Sequence, residues 1–446
     1  MGGGYVGLYA ALGLQRRLRP DEATITLVNP ESFALYQPFL PEAASGSIEP
    51  RHVVVPLRPL LRRRSRLITG TVESLDHERR TAAIVPAGGE PFELPYDVVV
   101  LAPGSVSRVL PIPGLAEQGI GFTSLAEAIY LRNRVLSRMD AAESTEDEAV
   151  RRRLLTFVFV GGGYAGIEAI AELEDMARFA CRSYQRVRPH DLRWVIVEAA
   201  DRILPELTLP LGAYALSQLE ARGFQIHLGT RLRSAVGGHL ELSNGRTYDA
   251  DTLVWTAGVR PNPMLQRTGL PLDEKGRLVA DECLRVRGVE GAWTAGDGAA
   301  VPDVIAGGIC PPTAQHALRQ AKRLAENLVA SLHGQPLRPF RYRNLGGLAT
   351  LGLYKGVALV VGVPIKGFPA WALHRSYHVL RVPTLNRKAR VIADWTLALC
   401  FRRDVAQLGS LQRPRDRFAQ AMEVSPSPGG PEPSAQTWSA DQIKPA

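Results

Sequence analysis

The chain has 446 residues, 45% hydrophobic and 22% charged, with a formal net charge of +9. At roughly 150 residues per domain the length asks for two or three domains, and the balanced composition excludes a disordered or collagen-like chain. Four cysteines (Cys181, Cys283, Cys310 and Cys400) stand far apart with no CxxC spacing; this disfavours a disulfide framework, a zinc ribbon or a thioredoxin-like pair, and fits a reducing cytoplasmic compartment with no metal site.

The chain opens on Met1-Gly2-Gly3-Gly4-Tyr5, without the basic and then apolar stretch of a secretion signal. Gly2-Gly3-Gly4-Tyr5-Val6-Gly7 fits GxGxxG and leads into a helical pattern over residues 5–18. Such a motif ordinarily follows a strand, so the first strand of this fold is expected upstream of Met1. A strand is expected over 23–28, ending at Asn29. Residues 48–100 alternate in polarity around a turn at Ala87-Gly88-Gly89, which predicts small β elements. Residues 96–101 read as a buried strand closing on Ala102-Pro103-Gly104, and 125–150 as a charged helix. The apolar run 154–160 reads as a buried parallel strand and opens into a second motif, Gly161-Gly162-Gly163-Tyr164-Ala165-Gly166. Strands follow at 194–197, ending on Glu198, and at 224–228, 238–242 and 252–256. Ala292-Trp293-Thr294-Ala295-Gly296-Asp297 is a further strand-to-turn, and 313–332 a long helix behind Pro311-Pro312. Residues 391–401 form an apolar run of eleven broken by Asp394, short of the roughly 20 needed to span a bilayer. From Val424 onward Pro, Ser and Gly dominate, and 424–446 is expected to be a disordered tail.

A strand, a GxGxxG turn and a helix bind a pyrophosphate for a physical reason. The glycines let the backbone approach closely, and the helix N-terminus offers free N–H groups and the positive end of its dipole. Two such motifs, 159 residues apart, predict two bound dinucleotides, one per fold. Glu198 closes the second strand of the second unit; a carboxylate there accepts from ribose hydroxyls and repels a 2′-phosphate, favouring NAD over NADP. The matching position in the first unit is Asn29, which hydrogen-bonds without charge. Asp297, at a strand end beside Gly296, suits a polyol chain such as the ribityl of FAD. The start of the helix after Thr313 would stabilise an anionic flavin through its dipole.

Leu35-Tyr36-Gln37-Pro38-Phe39-Leu40, Leu101-Ala102-Pro103-Gly104, Gly166-Ile167-Glu168, Thr256-Ala257-Gly258, Ala295-Gly296-Asp297 and Ala314-Gln315-His316-Ala317 complete the pattern. Together these pieces resemble two-dinucleotide-fold flavoproteins of the pyridine nucleotide-disulfide reductase type, and within them the type II NADH:quinone oxidoreductases, over roughly residues 1–415. The resemblance implies an α/β fold class with two Rossmann-like dinucleotide-binding domains. The FAD domain would comprise 1–112 and 288–345, with an NADH domain, 113–287, inserted in it; a basic amphipathic region, 346–423, would associate with membranes. It implies that Gly2, Gly4 and Gly7 hold the FAD pyrophosphate, that Asn29 stands at the ribose, and that Asp297 takes the ribityl chain. Gly161, Gly163, Gly166 and Glu198 would hold NADH, with Ala102, Gly104, Gly258, Gly296 and Ala314 as further cofactor contacts. Glu168 matches a glutamate near the nicotinamide–flavin contact, orienting NADH or passing a proton. Gln315 matches the first glutamine of a quinone-site motif. The second glutamine falls at Arg319, with Gln320 one place later and turned by about 100° on a helix. The redox cysteine pair of the disulfide reductases is missing, and Cys310 reads as a small buried residue.

Residues 366–417 hold eleven Lys or Arg against three Asp, interleaved with Phe368, Trp371, Tyr377, Trp395 and Phe401. Leu373, Tyr377 and Leu380 share one helical face and Val391, Trp395 and Leu399 another, as in a helix lying in an anionic membrane interface. No nucleic-acid motif accompanies the charge. The expectation is an FAD-dependent NADH dehydrogenase, peripheral on the cytoplasmic side of the cell membrane, reducing a membrane quinone without pumping protons and compatible with a homodimer. The alternatives are a soluble NADH-dependent flavoprotein reductase of a small redox protein and a non-catalytic redox-sensing module.

Overall fold

Five successive residues without an exposed side chain, Thr156–Val160, form the middle strand of a five-stranded sheet. Its order is Gln225–His227, Arg193–Val197, Thr156–Val160, Thr252–Trp255 and Gly119–Ile120, all parallel. Full burial requires cover on both faces, and the side chains alternate to meet it. Phe157, Phe159 and Ile196 pack among helices, whereas Val158, Val160, Val195 and Val197 pack with Leu232, Leu240 and Tyr248 of a small antiparallel sheet. The computed structural model describes residues 1–61, 65–401 and 404–408; the tail expected at 424–446 and the basic stretch before it, from 409, lie outside them.

Around the first motif, Ile25–Asn29 runs parallel to Ser65–Asp76, and Val99–Leu101 parallel to Ala292–Thr294. Met1 and Gly2 lie between these pairs. Gly2 N–H donates to Val28 O at 2.8 Å, the Met1 amino group donates to Val100 O at 2.7 Å, and Ala102 N–H donates to Met1 O at 2.9 Å. Helix α1 (Tyr5–Arg17) follows the motif.

The charged pattern at 125–150 divides into two helices, α2 (Leu125–Ser144) and α3 (Glu148–Leu154), where a single one was expected. Local chemistry makes the break: Asp147 caps α3 by accepting from Ala149 and Val150 N–H. The following strand accordingly begins at Thr156 and not at 154. Helix α4 (Tyr164–Ala180) opens at the second motif, and α5 (Ala314–Leu332) packs along α1.

Leu265, Leu270, Leu278 and Val286 share a core with Val28, Leu101 and Ala292 of the first fold. Val259–Pro261 pairs antiparallel with Ser105–Ser107. Beyond α5, Leu348–Thr350, Gly356–Val360 and Val363–Lys366 make a three-stranded antiparallel sheet. Helices α6 (Phe368–Arg381) and α7 (Leu385–Cys400) follow.

The Val391–Trp395 face of α7 corrects the amphipathic expectation. Val391 is fully buried and Trp395 Nε1 donates to Glu42 Oε2 at 2.7 Å, so this face packs on the body of the protein. Arg375 lies between the rings of Trp371 and Trp395, at 4.3 and 4.7 Å, and donates to Glu42 Oε2. The apolar residues left outside are Leu385, Ile392, Leu397, Leu399 and Phe401, with Phe368 and Leu380 on α6.

The α1–α5 contact is close at Gly13, where a Cβ would stand 2.7 Å from Ala325 Cβ. Gly13→Leu is expected to cost about 1–3 kcal/mol by overpacking. Urea unfolding measures this, and unchanged stability would contradict the packing.

Candidate active site

Helices α1 and α4 begin alike. Their N-cap residues, Gly4 and Gly163, bring no side-chain hydrogen bond, whereas Ser124, Asp147, Thr313 and Thr384 cap α2, α3, α5 and α7. The first-turn N–H groups of α1 and α4 are thereby left for a ligand. A Cβ on Gly4 or Gly163 would meet nothing within 4 Å, so the space before each helix is open. The turns themselves are closed to other residues. Gly2 and Gly161 hold φ of 97° and 120°. A Cβ on Gly7 or Gly166 would lie 1.7 or 2.1 Å from the carbonyl oxygen of Gly2 or Gly161. Two pyrophosphates fit these cradles.

The strand-end residues do work that the sequence did not reveal. Asn29 Oδ1 accepts from Gly3 N–H at 2.7 Å, and its Nδ2 donates to Glu31 O. Glu198 Oε2 accepts from Gly162 N–H, and Oε1 from Ala200 N–H at 2.7 Å. Each side chain braces the middle glycine of its own turn.

One cavity of about 1130 Å³ reaches elements of both folds. Gly161, Gly163, Glu198 and Gly258 line it, as do Asp297, Ala314 and Gln315, with Glu168 in the same wall. Gly2, Gly7, Asn29, Ala102, Gly104, Gly166 and Gly296 are not in that lining, and Gly4 borders a separate small recess with Tyr36 and Pro383. Asp297 Oδ2 accepts from Ser105 Oγ at 2.8 Å; burial pushes its carboxyl up, and the Ser105 bond opposes this.

Glu168 is buried on α4. Burial pushes its carboxyl up to about 8, against the opposing pull of the Thr350 N–H that Oε1 accepts at 2.9 Å. His374 Nε2 lies 3.1 Å from the same oxygen. Burial, helped by Arg375, lowers His374 to about 3, so burial pushes both members of the pair toward their neutral forms. His374 Nδ1 has no hydrogen-bond partner among the described residues. One turn on, the His378 ring stands 4.4 Å from that of His374, and its Nδ1 bonds Tyr36 OH at 3.1 Å. This histidine pair escaped the sequence reading. Its i, i+4 spacing was visible, but it lay inside a segment read for charge.

The Gln315 amide is committed at both ends: Oε1 accepts from Tyr342 OH at 2.7 Å and Nε2 donates to Gly346 O at 3.1 Å. Arg319 stacks 4.1 Å above the Tyr342 ring and donates to Gln315 O. Gln320 turns away from the cavity, and its Oε1 accepts from Gly296 N–H at 2.8 Å. At the start of α5, Thr313 Oγ1 accepts from His316 N–H, so this N-terminus is partly satisfied from within.

The raised pKa of Glu168 carries a sign. Its contribution to stability is full below the ordinary 4.5 and is lost as pH rises through about 8. Between about pH 6.5 and 8, above the ordinary value for His374, wild type is expected to lose stability relative to Glu168→Gln, by up to about 1.4 kcal/mol per pH unit. Denaturant unfolding across that window tests it; parallel curves would show an ionised Glu168.

Comparison with known proteins agrees with this geometry. The chain is 27% identical to the type II NADH:quinone oxidoreductase Ndh of Mycobacterium tuberculosis, covering 98% of this chain and 96% of that protein. It is 30% identical to the demethylphylloquinone reductase NdbB of Synechocystis sp., covering 89% and 94%. The structure of NDH2 from Plasmodium falciparum in complex with NADH superimposes with a TM-score of 0.85 at 16% identity, over 91% of this chain and 98% of that one. Residues 1–321 match the pyridine nucleotide-disulphide oxidoreductase family, and the protein belongs to it.

Proposed function

We propose that the protein is an FAD-dependent NADH dehydrogenase that delivers two electrons to a quinone. The observation that carries this reading is the single cavity joining the open N-terminus of α4 and Glu198 to Asp297 and Gln315. Support comes from the relatives, which include type II NADH:quinone oxidoreductases matched over nearly their whole length. Bound FAD supplies the redox chemistry, taking hydride from NADH and passing an electron pair to the acceptor.

The chain's own residues do the remaining work. Gly2, Gly4 and Gly7 shape the FAD turn, and Gly161, Gly163 and Gly166 the NADH turn. Glu198 disfavours a 2′-phosphate by charge. Gly258 and Ala314 leave room for a cofactor in the cavity wall, Ala102, Gly104 and Gly296 support the turns behind it, and Asp297 takes a ribityl hydroxyl. Glu168, protonated at neutral pH and set in the cavity wall, holds a proton for an acceptor that must gain protons along with electrons. Gln315, fixed by Tyr342 and Gly346, positions the wall where the acceptor would sit.

Among the described residues no helix is long and apolar enough to cross a membrane. The outward row Leu385, Ile392 and Leu399, at i, i+7 and i+14 of α7, favours contact with an anionic membrane surface. Arg381 and Arg390 are exposed on the same pair of helices. We place the protein as peripheral on the cytoplasmic face.

In anaerobic absorbance spectra, NADH is expected to bleach the flavin band and a short-chain quinone to restore it. Bleaching without restoration would remove quinone as the acceptor. Glu198→Ala is expected to raise the KM for NADH about tenfold or more, from loss of a charged hydrogen bond. The double variant Leu385→Glu with Leu399→Glu, checked for folding by its Tm, is expected to leave the pellet in co-sedimentation with anionic vesicles. Retention would refute the membrane face.

A further inference from the structure

Outside the residues used so far, three metal-ligating side chains of different chemistry converge. Asp303, Cys310 and His316 each bring one ligand atom, and these atoms lie within 4.8 Å of one another. They come from two well-held elements. Asp303 and Cys310 flank a hairpin closed by Asp303 N–H to Gly308 O at 3.0 Å and Cys310 N–H to Val301 O at 2.9 Å. His316 sits in the first turn of α5.

Asp303 and His316 each keep a valence to spare, and the Cys310 thiol makes only a long contact to Pro302 O at 3.8 Å, which a metal–sulfur bond would replace. Asp303 Oδ1 is engaged by Ile305 and Ala306 N–H, both at 3.0 Å, which leaves Oδ2 for another partner. His316 Nδ1 lies 2.8 Å from Thr313 Oγ1, the kind of anchor that fixes a ligating imidazole with Nε2 presented. Cys310 and His316 are buried, 6% and 4% exposed, and Asp303 is half-buried, so the cluster is closed inside and reachable at one edge.

We propose that Asp303, Cys310 and His316 form a binding site for one divalent transition-metal ion, with a water at a fourth position. One thiolate, one imidazole and one carboxylate suit a borderline-soft ion such as Zn²⁺ and disfavour Mg²⁺ or Ca²⁺. On binding, the Cys310 thiol proton is released and a metal–sulfur bond takes its place. The ion would tie the hairpin to α5. Residues 311–315, between two of the ligands, all line the cavity, so occupancy fixes that part of its wall.

The test uses the full-length, FAD-loaded protein after treatment with a chelator, and it needs no turnover. Titration with Zn²⁺ against a chromophoric chelator is expected to show one tight ion per chain. Co²⁺ is expected to give a thiolate-to-cobalt charge-transfer absorption. Cys310→Ser is expected to remove that absorption and weaken Zn²⁺ binding by about a hundredfold or more. Asp303→Asn, at a half-buried position, provides a second variant should Cys310→Ser fold poorly, and is expected to weaken binding at least about tenfold. Amide hydrogen exchange over 303–310 is expected to slow with Zn²⁺ in wild type alone. Absence of tight binding, or binding unchanged in Cys310→Ser and Asp303→Asn, would overturn the proposal; the latter would place the ion elsewhere, for instance at Cys283 or Cys400. Neither result bears on NADH oxidation.

Discussion

Helix α4 has to satisfy two opposed demands. Its N-terminus must stay open toward the cavity, and its body must be held without error against everything that lines that cavity. The solution is a row of acidic side chains at i, i+4 and i+7. Glu168 Oε1 accepts from Thr350 N–H, Glu172 Oε2 from Ser45 Oγ, and Asp175 Oδ2 from Leu353 N–H. A buried acidic group left without a partner is costly, the more so when ionised, so each group is an anchor only while its donor stays in place. The three donors belong to parts of the chain far from α4 in sequence. One helix face thereby ties the second nucleotide fold to the segment after the first motif and to the carboxyl-terminal sheet.

Much of the two-fold architecture was legible because it follows from local rules. A buried run ending in Gly161-Gly162-Gly163 admits few readings, and the strand and helix it predicts are present. The break between α2 and α3 was equally local in cause, since Asp147 is an ordinary N-cap, yet a continuous charged pattern hid it. The packing of residues 265–286 on the first fold was not legible. Leu278 and Val286 look like any strand residues until the core they join is known.

The site was legible in its outline and opaque in its chemistry. Spacing located Glu198 and Asn29 but could not say that each braces a glycine turn, because that depends on where a backbone N–H points. Spacing also marked Glu168. Its raised pKa comes from burial and is opposed by the N–H of Thr350, 182 residues away; its other neighbour, His374, stands on a segment whose charge suggested only a surface. The departure at Arg319 was visible, and so was the misdirection of Gln320. The role of Arg319, stacked on Tyr342 and donating to Gln315 O, required the ring of a residue outside the helix.

Helix α6 looks both ways. Tyr377, His378 and Arg381 line the cavity, while Phe368 and Leu380 face outward. On the reading proposed above, a lipid-soluble acceptor dissolved in the bilayer then has only the thickness of one helix to pass. Its search becomes two-dimensional, and the quantity that sets turnover is its mole fraction among the lipids, not its concentration in the bulk volume. Diluting the membrane with inert lipid would slow such an enzyme even at a fixed total amount of acceptor.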